Sequence, residues 1–381
     1  MKTGILGGAF DPIHAGHIAV AEAAMASLGL DRVLLLPSGE PPYKRVQASR
    51  EQRLRMVEIA CEGRPGLSAS DIECRRPGRT YTADTLKALK QMFPEDAFTY
   101  ILGADALASL AKWRDLDEIV RMTDFAAVGR PNAAAPEVPA GARVTFTGIE
   151  GPNISSGIMR RRVAEGGVQD GLTPPDVAEY IRREGLYLCD YTEAEILERL
   201  KRTITLHRYH HTLGVADTAQ RLAAKCGADP MRARLAGLLH DCAKSLPYGE
   251  MRRLVEENVP DTDDAELDAE PVLHAPAGMV LARRDYGVRD ESILQAIRRH
   301  TLGGPDMTAM DALIYVSDFI EPGRRPFPGL ERARALAERD IFEAMGECAR
   351  LSSSYLTSRG QTPHPRTQAV IRQATVGGEA E

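Results

Sequence analysis

The feature that most constrains the fold is a change of character near residue 187. Before it, short apolar runs at 2–6, 32–37, 97–102, 124–128 and 143–146 read as strands, while 18–28, 50–62, 82–93 and 116–122 carry helical periodicity. Strands interleaved with helices imply a parallel sheet covered on both faces, a Rossmann-like α/β arrangement whose ligands collect at the carboxyl ends of the strands. After it the pattern is helical throughout, at 193–225, 231–246, 275–285, 290–299, 307–320 and 330–356, with no strand alternation. A chain of 381 residues exceeds what one core usually serves. The expectation is therefore an α/β domain over 1–188, an acidic junction over 189–195, an all-α domain over 196–372 and a tail over 373–381, frayed from 377.

Composition narrows the function classes. Apolar content of 43% and charged content of 27% fit a globular protein, and a formal charge of −6 lacks the basic footprint of a nucleic-acid binder. The six cysteines (Cys61, Cys74, Cys189, Cys226, Cys242, Cys348) form no C-x-x-C pair, so reduced core thiols are expected rather than structural zinc or a disulfide framework. The opening apolar run is too short for a signal peptide, and no run approaches the roughly 20 apolar residues of a membrane helix. These features read as a cytoplasmic protein with small-molecule partners, without nucleic acid or membrane, and compatible with homo-oligomerisation.

Two of the nine histidines, His14 and His17, lie in Gly7-Gly8-Ala9-Phe10-Asp11-Pro12-Ile13-His14-Ala15-Gly16-His17, between an expected strand and helix. Glycines allow close backbone approach to a polyphosphate, and the helix start offers N–H donors and a positive dipole end. Two imidazoles three residues apart can donate to phosphate oxygens whose charge rises during displacement. The bland alternative is an Asp-Pro turn with two surface histidines.

This segment resembles the H-x-G-H nucleotidyltransferases, in the form G-G-x-F-D-P-x-H-x-G-H of the bacterial nicotinate mononucleotide adenylyltransferases. The resemblance covers about 1–188. It extends to Pro41-Pro42-Tyr43-Lys44, to the 80–86 segment containing Tyr81 and Thr82, to Leu102-Gly103-Ala104-Asp105 with Trp113, and to Ile154-Ser155-Ser156-Gly157-Ile158-Met159-Arg160. It implies that His14, His17 and Lys44 act on the ATP phosphates and that Gly7, Gly8, Ala9 and Phe10 form the nucleotide turn. Ile154, Ser155, Ser156 and Arg160 would hold the phosphate tail, and Tyr81, Thr82, Asp105 and Trp113 would surround the nicotinate nucleotide. The implied reaction is attack of the mononucleotide phosphate on the α-phosphorus of ATP, with Mg²⁺ on the triphosphate and no protein nucleophile. Ala9, Tyr43 and Met159 depart from the family's usual Thr or Ser, His and Ile. Trp113 also reads as a half-buried helix residue, and other adenylyl- or cytidylyltransferases of the superfamily remain alternatives.

The other seven histidines lie beyond residue 200. His240-Asp241 sits in the apolar stretch 235–244, where burying both side chains is costly unless a metal or hydrogen bonds satisfy them. His211, His274, His300 and Asp318 accompany it, and a mixed imidazole–carboxylate set suits Fe, Mn, Co or Zn in one or two ions. The order H…HD…H…H…D resembles the HD-domain phosphohydrolases, helical bundles. The phrases Arg208-Tyr209-His210-His211-Thr212-Leu213-Gly214-Val215 and Asp318-Phe319-Ile320-Glu321-Pro322-Gly323-Arg324 resemble the HD-type symmetrical bis(5′-nucleosyl)-tetraphosphatases over about 195–372. That resemblance implies one ion, iron foremost, on His211, His240, Asp241 and Asp318. A second would sit on His274 and His300 with Asp241 bridging, and diadenosine tetraphosphate would be the substrate. Lys244 and Arg324 would contact phosphate, although Arg324 reads equally as a loop cation. His207 and His210 read as helix-surface residues or as outer partners of the ligands, and His364 as a loop residue or a pocket border. A nucleotide monophosphatase, an alarmone hydrolase and a non-catalytic dinucleotide sensor are the alternatives.

Overall fold

A parallel strand buried on both faces must be apolar along its length, and the first strand, β1 (Lys2–Gly8), is continuously buried over its middle. In the computed structural model, which describes residues 1–41, 45–129, 138–149, 152, 154–167 and 170–377 (104, 105, 376 and 377 by backbone alone), the chain divides into two compact units. One comprises Met1–Val163 with Gly167–Leu186, the other Ala164–Gly166 with Tyr187–Glu381.

In the first unit β1 is followed by α1 (Ala15–Leu28), β2 (Arg32–Pro37), α2 (Arg50–Cys61), β3 (Leu67–Ala69), α3 (Thr82–Met92), β4 (Ala97–Gly103), α4 (Ala104–Ala108), α5 (Leu116–Met122), β5 (Asp124–Val128), β6 (Val144–Phe146), α6 (Ser156–Ala164) and α7 (Pro175–Arg183). All the strand pairings are parallel, in the order β3-β2-β1-β4-β5-β6. The strand order reverses between β1 and β4, and the carboxyl ends there are where this topology opens a ligand crevice. The α/β expectation stands. The three-residue β3, α6 and α7 lie outside the elements expected from sequence, although α7 buries Val177, Tyr180 and Ile181 at helical spacing.

The second unit is helical: α8 (Glu193–Thr203), α9 (Leu206–Ala223), α10 (Pro230–Leu239), α11 (Tyr248–Asn258), α12 (Asp264–Leu267), α13 (Glu270–Asp285), α14 (Glu291–Arg299), α15 (Ala309–Ile320), α16 (Leu330–Ala337), α17 (Ile341–Ser358) and α18 (Pro365–Gly377). Alpha helices 9 and 10 pack closely because residue 237 is glycine: a Cβ there would fall 2.7 Å from the Ala216 Cα. Three details differ from the sequence reading. Helix α10 stops at Leu239, so His240 is its C-cap and Asp241 lies in the turn beyond rather than on a helix continuing to 246. Helix α13 begins at Glu270 and carries Pro276 inside it, so His274 is within the helix, whose Leu273–Ala282 stretch is buried and overrides the proline. The 330–356 run is two helices, the second opened by the Asp340 carboxylate accepting from the Phe342 and Glu343 N–H groups. Among the described residues no helix is long and apolar enough to cross a membrane, and the six cysteines are free thiols. The 378–381 end of the expected tail lies outside the described residues.

Candidate active sites

The glycine loop leaves β1 and runs into α1 through His14, whose extended backbone (φ −143°, ψ 168°) makes it the N-cap. His17, at the third helical position, reaches back so that its Nδ1 accepts from the His14 N–H at 3.2 Å. The two imidazoles stack with centroids 3.6 Å apart, and the Phe10 ring meets His17 edge-on at 4.9 Å. The loop is tied down from several sides. Asp11 accepts from the Gln47 and Ala48 N–H groups at 2.9 and 3.0 Å. Thr173 Oγ1 donates to the Ile13 carbonyl at 3.0 Å.

The segment 154–160 folds onto this loop. Ser156 Oγ donates to the Pro12 carbonyl at 2.9 Å and Arg160 Nη1 to the Asp11 carbonyl at 2.6 Å. Ser155 Oγ accepts from the Ile158 N–H at 3.2 Å as α6 starts, with Ile154 half-buried before it. Segments 7–17 and 154–160, remote in sequence, thus meet at the end of β1. Beside them opens a cleft of about 280 Å³, onto which Gly7, Gly8, Tyr81, Thr82 and Trp113 face. Trp113 is half-buried, not within a helix but directly after a 3₁₀ turn, and packs edge-on to Tyr100 at 5.6 Å. Lys44 lies outside the described residues, and so does the side chain of Asp105.

Sequence reading missed the support of this site. Arg53 is 1% exposed, and its guanidinium donates to the carbonyls of Ala9 (2.8 Å), Gly39 (2.7 Å) and Ala48 (3.3 Å). A signal existed: Arg53, Met56, Val57 and Ala60 form the buried stripe of α2, so a cation occupies an apolar position. Arg53→Met should make this unit about 2–4 kcal/mol easier to unfold in denaturant, since buried carbonyls lose their donor. A change below roughly 0.5 kcal/mol, the range of ordinary surface substitutions, would contradict this role. Glu73 was missed as well. It accepts from Thr80 Oγ1 at 3.1 Å and Thr85 Oγ1 at 2.9 Å on the cleft wall, and burial raises its carboxyl despite those bonds.

In the helical unit all six expected ligands converge. Asp241, 4% exposed, lies at the centre. Its Oδ1 is 3.0 Å from His274 Nε2 and 3.8 Å from His300 Nε2. Its Oδ2 is 3.6 Å from His240 Nε2 and 3.9 Å from His211 Nε2. Asp318 Oδ1 stands 2.9 Å from His211 Nε2 and 3.8 Å from His240 Nε2.

The donor set fits a cation. His240 Nδ1 lies 2.6 Å from the Gly237 carbonyl, which only a ring N–H can satisfy, so the Nε2 lone pair faces the two carboxylates. That Nε2 is buried and has no hydrogen-bond partner in the structure, an arrangement of converging lone pairs that a positive ion resolves. Burial lowers His240 and His274 to about 4, keeping both rings neutral near pH 7 as ligation requires. Burial opposes charge on Asp241 and Asp318, yet the imidazoles around them hold both below the usual carboxylate range. Two groups, His211 with His240 and Asp318, and His240 with Asp241 and His300, each bring their ligand atoms within 4.8 Å of one another.

Over this cluster opens a cleft of about 270 Å³ with a cationic wall of Arg208, Lys244 and Arg324. Arg324 Nη2 donates to Asp318 Oδ1 at 2.6 Å, and Lys244 Nζ lies 2.8 Å from His274 Nδ1. Arg208 donates to Asp241 Oδ2. Sequence reading gave Arg208 no role, although it stands three residues before His211, on the same helix face. His207, an exposed residue of α9, also lines the cleft, and His210 is exposed. His364 pairs with Asp263 at 3.2 Å and does not line the cleft. Glu321, buried behind His211, was quoted in its motif without a role.

Comparison with known proteins divides at the same place. Residues 5–162 match the cytidylyltransferase-like family and residues 208–345 the HD domain family. A "Probable nicotinate-nucleotide adenylyltransferase" of Dehalococcoides mccartyi is 41% identical over 49% of this chain and 97% of its own length. The "Bis(5′-nucleosyl)-tetraphosphatase, symmetrical" of Bacillus subtilis is 43% identical over 45% of this chain and 92% of its own. A solved structure described as a predicted HD superfamily hydrolase involved in NAD metabolism, from Clostridium acetobutylicum, aligns over 49% of this chain and 98% of its own at 33% identity and TM-score 0.47.

Proposed function

The chain belongs to the nicotinate-nucleotide adenylyltransferase family through its N-terminal half and to the HD-domain family through its C-terminal half, and we propose that it is two enzymes in one polypeptide. The domain over 1–188 transfers AMP from ATP to nicotinate mononucleotide, releasing pyrophosphate. The domain over 196–372 hydrolyses diadenosine tetraphosphate symmetrically to two ADP, with 189–195 as the junction. The observation that carries the reading is that each unit assembles its own constellation from residues remote in sequence.

In the transferase, the α1 N-terminus with His14 and His17 receives the triphosphate on the Gly7–Phe10 turn, and Lys44 adds charge. Ser155, Ser156 and Arg160, with Ile154 before them, brace the same phosphates from α6. Trp113, Tyr81, Thr82 and Asp105 hold the acceptor nucleotide. Mg²⁺ arrives with ATP. Because both reactants bring their own reacting oxygens and phosphorus, positioning and charge neutralisation suffice, without a protein nucleophile.

In the hydrolase, His211, His240, Asp241 and Asp318 hold one ion and His274 and His300 a second, with Asp241 shared. Iron is favoured, and Mn, Co or Zn suit the same donors. Ions so held supply Lewis acidity toward the polyphosphate and activate water. Lys244 and Arg324, joined by Arg208, orient the phosphates from the cleft wall.

Incubation of the metal-supplemented protein with diadenosine tetraphosphate tests the hydrolytic half. ADP is the expected sole nucleotide product. Equal AMP and ATP would overturn symmetrical cleavage, and binding without turnover would favour a sensor.

A further inference from the structure

We infer that Glu321 is a positioning residue for the metal site: its buried carboxylate sets the ring orientation and tautomer of His211, in space that Gly214 leaves for it. This rests on reading His211 as a ligand and adds a residue to which that reading gives no part.

Helix ends orient two of the other imidazoles. His240 and His300 are both C-caps, and each places Nδ1 2.6 Å from the carbonyl three residues back, Gly237 and Ile297 respectively. Last-turn carbonyls lack intrahelical donors, so they are available to fix a ring. His211 lies inside α9, where the helix uses its own carbonyls. A side chain must therefore do for His211 what the backbone does for the other two.

Glu321 supplies it. The residue follows α15 and is 4% exposed, with Oε1 3.1 Å from His211 Nδ1. Its Oε2 accepts from the Gly323 N–H at 2.5 Å, which pins the carboxylate. An ionised carboxylate only accepts, so Nδ1 keeps a proton toward Glu321, and Nε2, 2.9 Å from Asp318 Oδ1, is the ring nitrogen left for a cation shared with Asp318 and Asp241. Outer partners of this kind orient metal-binding imidazoles. Gly214, one turn after His211, makes room: a Cβ there would stand 2.7 Å from Glu321 Oε2.

Glu321→Gln forces a conflict in either orientation. With its oxygen on the Gly323 N–H, the amide NH₂ faces Nδ1 and moves the ring proton to Nε2. Flipped, two donors face each other at Gly323. Gly214→Ala displaces the carboxylate while favouring the helix.

The test is Mn²⁺ titration of the full-length protein followed by electron paramagnetic resonance of free Mn²⁺. Imidazole ¹⁵N spectra without added metal and circular dichroism accompany it, with His211→Ala as reference. We expect Mn²⁺ affinity to fall about 10- to 100-fold in Glu321→Gln, with the proton on His211 Nδ1 lost. If Glu321→Gln fails to fold, Gly214→Ala decides by the same two readouts. Wild-type affinity with the Nδ1–H form retained would overturn the inference, provided His211→Ala weakens binding. Should His211→Ala also bind Mn²⁺ normally, the ligand assignment itself fails, and the inference with it.

Discussion

Replacing His17 by alanine is expected to lower adenylyl transfer by about 10²- to 10³-fold, the loss typical of removing one preorganised donor from a developing oxyanion. The ring is placed for that role before any substrate arrives. Its Nδ1 accepts the His14 N–H, which puts the proton on Nε2, the donor form a phosphate oxygen needs. Stacking on His14 at 3.6 Å and the edge of Phe10 at 4.9 Å fix its orientation, so little is spent on ordering it during the reaction. The structural cost is one half of the α1 capping box, about 1 kcal/mol, which a thermal melt will register as a small shift. Turnover of ATP and nicotinate mononucleotide within a few-fold of wild type would remove this loop from the catalytic assignment.

Asp241→Ala is expected to abolish hydrolysis and strip most of the bound metal. Asp241 directs its two carboxylate oxygens to different histidine pairs, Oδ1 to His274 and His300, Oδ2 to His240 and His211. On the proposed ligand set its loss weakens both ion positions at once, and it leaves Arg208 without its carboxylate partner. The effect should exceed the roughly 100-fold that outer partners of a metal site can cost, because a direct and shared ligand is gone. Elemental analysis beside a diadenosine tetraphosphate assay measures both losses. A strong chelator should reproduce them in the unaltered chain. Retention of metal and turnover would refute the ligand set.

Much of this was legible in the sequence, for definable reasons. The glycine loop announces itself because strand, turn, paired imidazoles and helix start are contiguous, and the fold keeps them so. The HD cluster is legible because His and Asp are costly to bury, so their presence in apolar helices signals a shared purpose. The less visible parts are those whose meaning depends on tertiary neighbours. Arg53 looks like one more charged helix residue until three backbone carbonyls from different segments close around it. Glu321 reads as part of a loop phrase, and only the fold puts it behind His211 from 110 residues away. Arg208 and Glu73 are hidden in the same way. The end of α10 was misplaced because apolar periodicity continues past Leu239, whereas the His240 ring turns back onto the Gly237 carbonyl and Asp241 enters the turn.

The central claim is that two separate sites share one chain, and a crossed assay tests it most directly. Wild type, His17→Ala and Asp241→Ala, purified in parallel, are each assayed for adenylyl transfer to nicotinate mononucleotide and for diadenosine tetraphosphate hydrolysis. The prediction is a double dissociation: His17→Ala loses transfer and keeps hydrolysis, while Asp241→Ala loses hydrolysis and keeps transfer. If either substitution abolishes both activities in a protein that remains folded, or if one activity survives both substitutions, the two-site account is contradicted.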